Sequence, residues 1–412
     1  MKMPETGKSW DDVREILIAR GEEDARWRDG RTAVYVFNAG PHVARVQQEA
    51  YSLYMSENGL GPTAFPSLAQ MEQEVIQMAL SILHGTEDAT GAMTSGGTES
   101  ITMALKTARD FARATKRLSG PANIVLPQSA HPAFDKAAHL MDIEVRRVAL
   151  KIDGSYEADP VAMGEACDDQ TIMMVGSAPN FPHGIIDPIE ALGKVAQARD
   201  IWLHTDACVG GYFAPFARMN GVAVPPFDFV VPAVRSISAD LHKYGYAAKG
   251  ASTVLFRSKE LYRHMPFTNN NWSGAPMSTP TFAGTRPGGA ISAAWAVMNV
   301  LGVEGYREKQ GLVCQTRERA EAGLAKLGFE VLGKPVLGLI AFRHPDHDNF
   351  AIYSELCRKG WFTSITTQPP SLHLMLSPKH ADVIDEYLHD LGASLATVAT
   401  GRQGVQIEAR YN

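Results

Sequence analysis

Short apolar runs at residues 123–126, 143–150, 172–175, 201–204 and 253–256 alternate with stretches whose apolar positions return every three or four residues. Runs of that length suit buried strands, and the intervening period suits helices packed on them. The alternation predicts an α/β fold with a mostly parallel central sheet in a large domain, residues 61–300. The chain ahead of it, residues 1–60, carries charged and aromatic helical segments and reads as an arm that packs on a partner. Residues 301–412 read as a smaller C-terminal α+β domain. It inherits an amphipathic region, 290–327, contains the apolar run 336–342, and ends in a helix over 377–389 with Pro378 at its start.

Three segments punctuate this pattern with chemistry. Met93-Thr-Ser-Gly-Gly-Thr-Glu-Ser100 is a small, hydroxyl-rich turn leading into a helix. Gly96 and Gly97 allow close backbone approach, Ser95, Thr98 and Ser100 add hydroxyls, and the new helix offers free N–H groups to an anion. An ordinary N-cap has the same residue types. The turn lacks the Lys-Ser/Thr ending of a nucleotide-binding P-loop. Asp200-Ile-Trp-Leu-His-Thr-Asp-Ala-Cys-Val-Gly-Gly-Tyr212 puts Asp206 at the end of an apolar strand, the edge where open α/β sheets bind ligands. Ser236-Ile-Ser-Ala-Asp-Leu-His-Lys-Tyr-Gly-Tyr246 sets Lys243 after a histidine, among small and polar residues. Such an amine attacks an aldehyde only when neutral, so a lowered pKa or a neighbouring cation is expected there.

Phosphate seat, strand-end aspartate and downstream lysine stand in the order used by pyridoxal phosphate enzymes of the aspartate-aminotransferase fold, the type I PLP-dependent transferase fold. Each segment answers one handle of that cofactor: phosphate, ring nitrogen and aldehyde. Longer stretches sharpen the likeness. Met93 to Ser100, Pro127-Gln-Ser-Ala-His-Pro-Ala-Phe-Asp-Lys-Ala-Ala138, Ala178-Pro-Asn-Phe-Pro-His-Gly-Ile-Ile-Asp187, the Ser236 to Gly250 stretch and Pro280-Thr-Phe-Ala-Gly-Thr-Arg-Pro-Gly-Gly289 resemble the sphingosine-1-phosphate lyase family.

That resemblance implies pyridoxal 5'-phosphate bound through Lys243, with Asp206 on the ring nitrogen and His131 stacked over the ring. It implies Gly97, Thr98 and His242 around the phosphate, with Gly284 and Thr285 reaching it from a neighbouring subunit of a homodimer. Lys249 and Tyr35 match positions the family uses around the substrate, and Arg286 or Lys249 could seat an anionic group. The implied reaction is retro-aldol cleavage of a phosphorylated long-chain amino alcohol, with amino-acid decarboxylation as the alternative outcome of the same machinery. Two departures bear on the substrate. Gly61, in Asn58-Gly-Leu-Gly-Pro-Thr-Ala-Phe-Pro66, stands where the family has a histidine. Met277, in Asn271-Trp-Ser-Gly-Ala-Pro-Met-Ser-Thr-Pro280, stands for a tyrosine. Lost hydrogen bonds near a substrate can change specificity by orders of magnitude.

Composition adds limits. The 412 residues, 45% hydrophobic, can bury a sizeable core, and a net charge of -6 without a basic run argues against a nucleic-acid partner. The longest apolar stretches, such as 171–175 and 251–256, fall far below the roughly twenty residues that span a bilayer. Eukaryotic members of the family are membrane-anchored, and no such segment is visible here. Nor is a secretory signal visible at the amino terminus. Cys167, Cys208, Cys314 and Cys357 show neither metal spacing nor a disulfide framework, so a cytoplasmic protein with reduced thiols is expected.

Overall fold

The computed structural model describes residues 2–115 and 118–401. Seven strands form the large sheet: β1 (Thr90–Thr94), β2 (Asn123–Pro127), β3 (Glu144–Val148), β4 (Thr171–Ser177), β5 (Trp202–Asp206), β6 (Val234–Ala239) and β7 (Ser252–Phe256). Their order is β1-β7-β6-β5-β4-β2-β3. Neighbours from β6 to β3 are parallel, whereas β7 is antiparallel to both β6 and β1. The sheet is therefore mostly parallel, with β7 alone reversed.

Alternation of side chains along each strand builds a core on both faces. On β2, Ile124 and Leu126 join an apolar cluster with Leu105, Ala108 and Phe134, while Val125 joins a second cluster with Met174 and Leu203. Two strands, β1 and β6, lie outside the anticipated apolar runs. Their sequences, Thr-Gly-Ala-Met-Thr and Val-Arg-Ser-Ile-Ser-Ala, are short or polar, yet both are largely buried.

A hairpin, β8 (Phe267–Asn269) and β9 (Met277–Thr279), precedes the long helix Gly288–Lys326. That helix breaks at Gly302, whose φ of 55° and ψ of -172° are non-helical. Beyond it lies a four-stranded antiparallel sheet, β10 (Glu330–Val331), β11 (Leu339–Arg343), β12 (Ser364–Thr367) and β13 (Pro370–Met375), in the order β10-β11-β13-β12.

The closing helix differs from the expectation of a single helix over 377–389. Residues Pro378–Asp382 form a 3-10 turn, and the α-helix Ile384–Ala399 starts only after it. The cause is local. Ser377 and His380 cap one another, and His380 Nε2 lies 3.1 Å from the Thr32 carbonyl, which pins the turn to the amino-terminal segment.

Near the amino terminus, the helix Trp10–Arg20 is capped by Ser9, which accepts from the Asp12 N–H at 3.1 Å, and has no buried residue. The next α-helix, Pro41–Leu53, lies against Gly288–Lys326, where Ser292 Oγ donates to the Ala50 carbonyl at 2.8 Å. Among the described residues no helix is long and apolar enough to cross a membrane.

Candidate active site

Strand direction decides what meets at one edge. The carboxyl ends of β1, β2, β5 and β6 point the same way, and the reversed β7 begins there. Register puts Thr94, Ser252, Asp206 and Ser177 near one row, because Thr94 pairs with Ser252, Asp206 with Ser238, and Ser177 with Asp206. Out of that row run the Ser95–Gly97 turn, the loop carrying His131, Asp206 itself and the loop carrying Asp240, His242 and Lys243. This is the ligand-binding edge of an open sheet.

Lys243 Nζ lies 3.1 Å from Asp240 Oδ2, and His242 Nε2 lies 3.6 Å from the same oxygen. Asp240 is 2% exposed. Burial opposes its ionisation, but Lys243 and then His242 outweigh burial and hold the carboxyl below its ordinary value. For Lys243 burial likewise favours the neutral amine, yet the attraction of Asp240, foremost among its neighbours, raises the ammonium above its ordinary value. Of the two expected means of poising Lys243, a lowered pKa or a neighbouring cation, the first is reversed, and the cause is Asp240, three residues upstream.

Asp206 is buried, and its Oδ1 accepts from the Cys208 N–H at 3.1 Å and the Ser238 hydroxyl at 3.2 Å. Both bonds fall on one oxygen, which leaves Oδ2 to face a ligand. His131 Nδ1 accepts from the Ala133 N–H at 3.1 Å, fixing the ring. Burial lowers its pKa, and the charges of Asp206, Lys243 and Asp240 all reach it.

Comparison with known proteins follows this geometry. The pyridoxal-dependent decarboxylase conserved domain matches residues 26–345. A sphingosine-1-phosphate lyase from Oryza sativa subsp. japonica is 40% identical over 407 residues, covering 96% of this chain and 74% of that one. The solved sphingosine-1-phosphate lyase of Burkholderia pseudomallei K96243 superposes with a TM-score of 0.93 at 33% identity, covering 98% of this chain and 94% of that one. The chain belongs to the sphingosine-1-phosphate lyase family. A Lactobacillus brevis glutamate decarboxylase, TM-score 0.84 at 19% identity over 97% of this chain and 95% of that one, shares the fold. Family membership brings pyridoxal 5'-phosphate as the cofactor.

The residues fit that cofactor. At this edge His242 Nδ1 is buried without a hydrogen-bond partner, a cost that a phosphate oxygen accepting from it would relieve. A Cβ at Gly97 would come within 2.8 Å of Asp240 Oδ2 and 2.9 Å of Cys208 Sγ, so only glycine leaves this cradle open. Ser95 is already engaged, because its N–H and hydroxyl both donate to Glu99 Oε2, at 2.7 and 2.6 Å.

Around this centre the family's other positions separate into two groups. Lys249 lies close: its amine donates to the carbonyl of Tyr35 at 2.7 Å and sits 5.5 Å over the Phe37 ring. Although part of its side chain is open to solvent, burial and the charge of Lys243 bring the amine down to about 8. Tyr35 holds a φ of 63°, unusual for so bulky a residue. Tyr35 and His131 stand on the wall of a cavity of about 790 Å³, which Lys243 and Asp206 do not line.

Gly284 and Thr285 form the second group. Glu99 Oε1 accepts from the Phe282 N–H at 2.8 Å, and Asn58 Nδ2 donates to Thr285 Oγ1 at 3.4 Å. Because the other Glu99 oxygen holds Ser95, these bonds tie the turn to the Ser95–Gly97 turn of the same chain, and Thr285 lines a small cavity with Thr94 and Ser95. Arg286 is committed to Glu72 and the Gly59 carbonyl. The two departures also stand outside the large cavity, Gly61 in the turn before the helix Pro66–Ile82 and Met277 on the exposed β9.

Proposed function

We propose that this chain is a pyridoxal 5'-phosphate-dependent carbon–carbon lyase that cleaves a phosphorylated long-chain amino alcohol, a sphingoid base 1-phosphate, into a fatty aldehyde and phosphoethanolamine. The observation that carries the reading is the convergence of the Gly97 turn, Asp206 and Lys243 on one sheet edge, beside a cavity walled by Leu150, Tyr156, Phe181, Tyr353, Phe362 and Ile365. An aliphatic tail gains about 0.8 kcal/mol for each methylene it buries against such a wall.

The bound cofactor supplies an electron sink for a bond at the substrate's alpha carbon. Gly97, Thr98 and His242 hold its phosphate. Asp206 would hold a proton at its ring nitrogen, and Lys243 would provide the amine that anchors it. His131, its ring fixed by the Ala133 N–H, covers the face. Lys249 has a sizeable neutral fraction near pH 8 and takes the proton of the beta hydroxyl as the carbon–carbon bond opens; Tyr35 flanks it.

Two chains form the working unit in this reading. Supporting it, the helix Trp10–Arg20 buries nothing in one chain, and Phe267, Trp272 and Phe282 stand exposed around the turn that bears Gly284 and Thr285. Four free cysteines, three of them buried, support a cytoplasmic setting. The deciding experiment supplies the holoenzyme with phosphorylated long-chain amino alcohols and, separately, with free amino acids, and follows aldehyde and carbon dioxide together. Aldehyde release is expected; carbon dioxide from an amino acid, without aldehyde, makes the enzyme a decarboxylase instead.

A further inference from the structure

Strand alternation places Trp202, His204 and Asp206 on one face of β5, and Ser236 and Ser238 on the matching face of β6, with His204 registered against Ser236 and Asp206 against Ser238. The five side chains form an unbroken series. Trp202 Nε1 lies 2.8 Å from Ser236 Oγ, which lies 2.8 Å from His204 Nδ1. His204 Nε2 lies 3.2 Å from Ser238 Oγ, which lies 3.2 Å from Asp206 Oδ1. All but Asp206 are at most 1% exposed.

The two ends of the series fix every proton between them. An indole can only donate, and an ionised carboxylate can only accept. Ser238 must therefore spend its single hydroxyl proton on Asp206, and its oxygen then accepts from His204 Nε2–H and from the Cys208 thiol at 3.3 Å. His204 carries its proton on Nε2, so Nδ1 is bare and accepts the hydroxyl proton of Ser236. Ser236 oxygen in turn accepts from Trp202. Burial, opposed only by Asp206, pushes His204 down to about 4, so the ring stays neutral, as this arrangement needs. Each donor points toward Asp206, and aligned hydrogen bonds polarise one another in a low-dielectric interior.

We propose that Ser236, His204 and Ser238 are positioning residues that lock Asp206 Oδ1 from behind and keep the carboxylate aimed, so that Oδ2 is turned to the proton at the cofactor's ring nitrogen. The proposal rests on Asp206 being the ring-nitrogen partner. Without the series, Asp206 loses a charge-assisted bond, its orientation loosens, and the ring nitrogen spends less time protonated. Nothing in the local sequence announces this role, because the histidine and the two serines meet only when β5 and β6 pair.

The test uses holoenzyme loaded with cofactor labelled with nitrogen-15 in the ring, whose chemical shift reports protonation directly, alongside turnover and thermal melting. The variants are Asp206→Asn, Ser238→Ala, His204→Leu and His204→Gln. Asp206→Asn should move the shift most. Ser238→Ala and His204→Leu should move it part of the way and lower turnover about 10- to 100-fold, the usual cost of removing a hydrogen bond that orients a ligand-holding group. His204→Gln, whose amide nitrogen can still donate to Ser238, should recover much of both. A purely structural role would lower the melting temperature and leave the shift in place. If Asp206→Asn moves the shift while folded, cofactor-loaded Ser238→Ala and His204→Leu do not, the series has no such role and the assignment of Asp206 stands. If Asp206→Asn itself leaves the shift unchanged, that assignment fails and the proposal with it. Should His204→Leu not fold, Ser238→Ala decides alone, since it removes one hydroxyl.

Discussion

The carboxyl-end edge of the large sheet and the outer surface at the Trp10–Arg20 helix, the β8–β9 hairpin and the 281–285 turn are built on opposite rules. At the edge, buried carboxylates are answered by neighbours: Asp240 by Lys243, Asp206 by Ser238 and Cys208. Across the other surface, Trp10 is 67% exposed, Trp272 60% and Phe282 73%, so large apolar groups meet solvent. An isolated chain can satisfy a buried charge by itself, whereas large apolar side chains left in solvent gain only from a surface that covers them. In the proposed dimer, the turn with Gly284 and Thr285 is read as one chain's contribution to its partner's centre.

The largest expected effect tests the first region. Lys243→Ala should abolish the yellow colour and covalent retention of cofactor, with turnover down at least about 10⁴-fold. Borohydride reduction and peptide mapping of the parent enzyme should label Lys243; a label on Lys249 would falsify the assignment. Next comes the link between the two regions. Inactive Lys243→Ala chains mixed with inactive Thr285→Trp chains should regain about a quarter of the parent activity, because half the dimers are mixed and each has one intact site. No recovery, with subunit exchange demonstrated, means that sites are not shared.

Asp206→Ala should cost at least about two orders of magnitude in turnover while retaining more of its cofactor affinity, since breaking a buried charge pair removes about 3–5 kcal/mol. Near-parent turnover would mean another group protonates the ring. Lys249 should govern the pH profile. If its neutral amine is the base, turnover rises as pH climbs through about 8, because the proton it must give up is lost there. Lys249→Arg keeps the charge but cannot lose the proton at these pH values, so that rise should vanish and turnover near pH 8 fall by about 10- to 100-fold. The smallest effect concerns Asp240. Asp240→Asn removes the attraction that keeps Lys243 protonated, so its pKa should drop and free cofactor should attach roughly severalfold faster at pH 7 in stopped-flow absorbance. A slower attachment would show that Asp240 guides the amine rather than charging it.

How far the sequence could carry this depends on how local each feature is. That the Ser95–Gly97 turn, Asp206 and Lys243 stand at one sheet edge is legible because each is announced by its immediate neighbours: two glycines before a helix, a carboxylate closing an apolar run, a lysine after histidine. The five apolar runs likewise located strands that the sheet contains. By contrast β6 was unreadable as a strand, since Ser236 and Ser238 look like loop residues until Trp202 and His204 satisfy their hydroxyls across the sheet. Lys243 was expected to be poised by a lowered pKa; the opposite shift depends on how deeply Asp240 is buried, which only the fold determines. The 3-10 turn at Pro378–Asp382 was missed because its anchor, the Thr32 carbonyl, lies far away in the chain.

The loop between the two lysines is bolted at both sides of the molecule. Tyr244 and Tyr246, fully buried within it, donate their hydroxyls to the Leu376 carbonyl at 2.6 Å and to Gln310 Oε1 at 2.8 Å, that is, to the chain leaving β13 and to the long helix. Its ends are closed on the large sheet's own edge, where the His242 N–H donates to the Ala251 carbonyl at 3.0 Å. Any swing of the four-stranded sheet relative to the seven-stranded one would have to drag Lys243 and Lys249 along with it. The loop therefore acts as a mechanical fuse: loosening either tyrosine would let the anchoring amine and its neighbour drift together, so distance from the reaction gives a substitution at Gln310 no guarantee of neutrality.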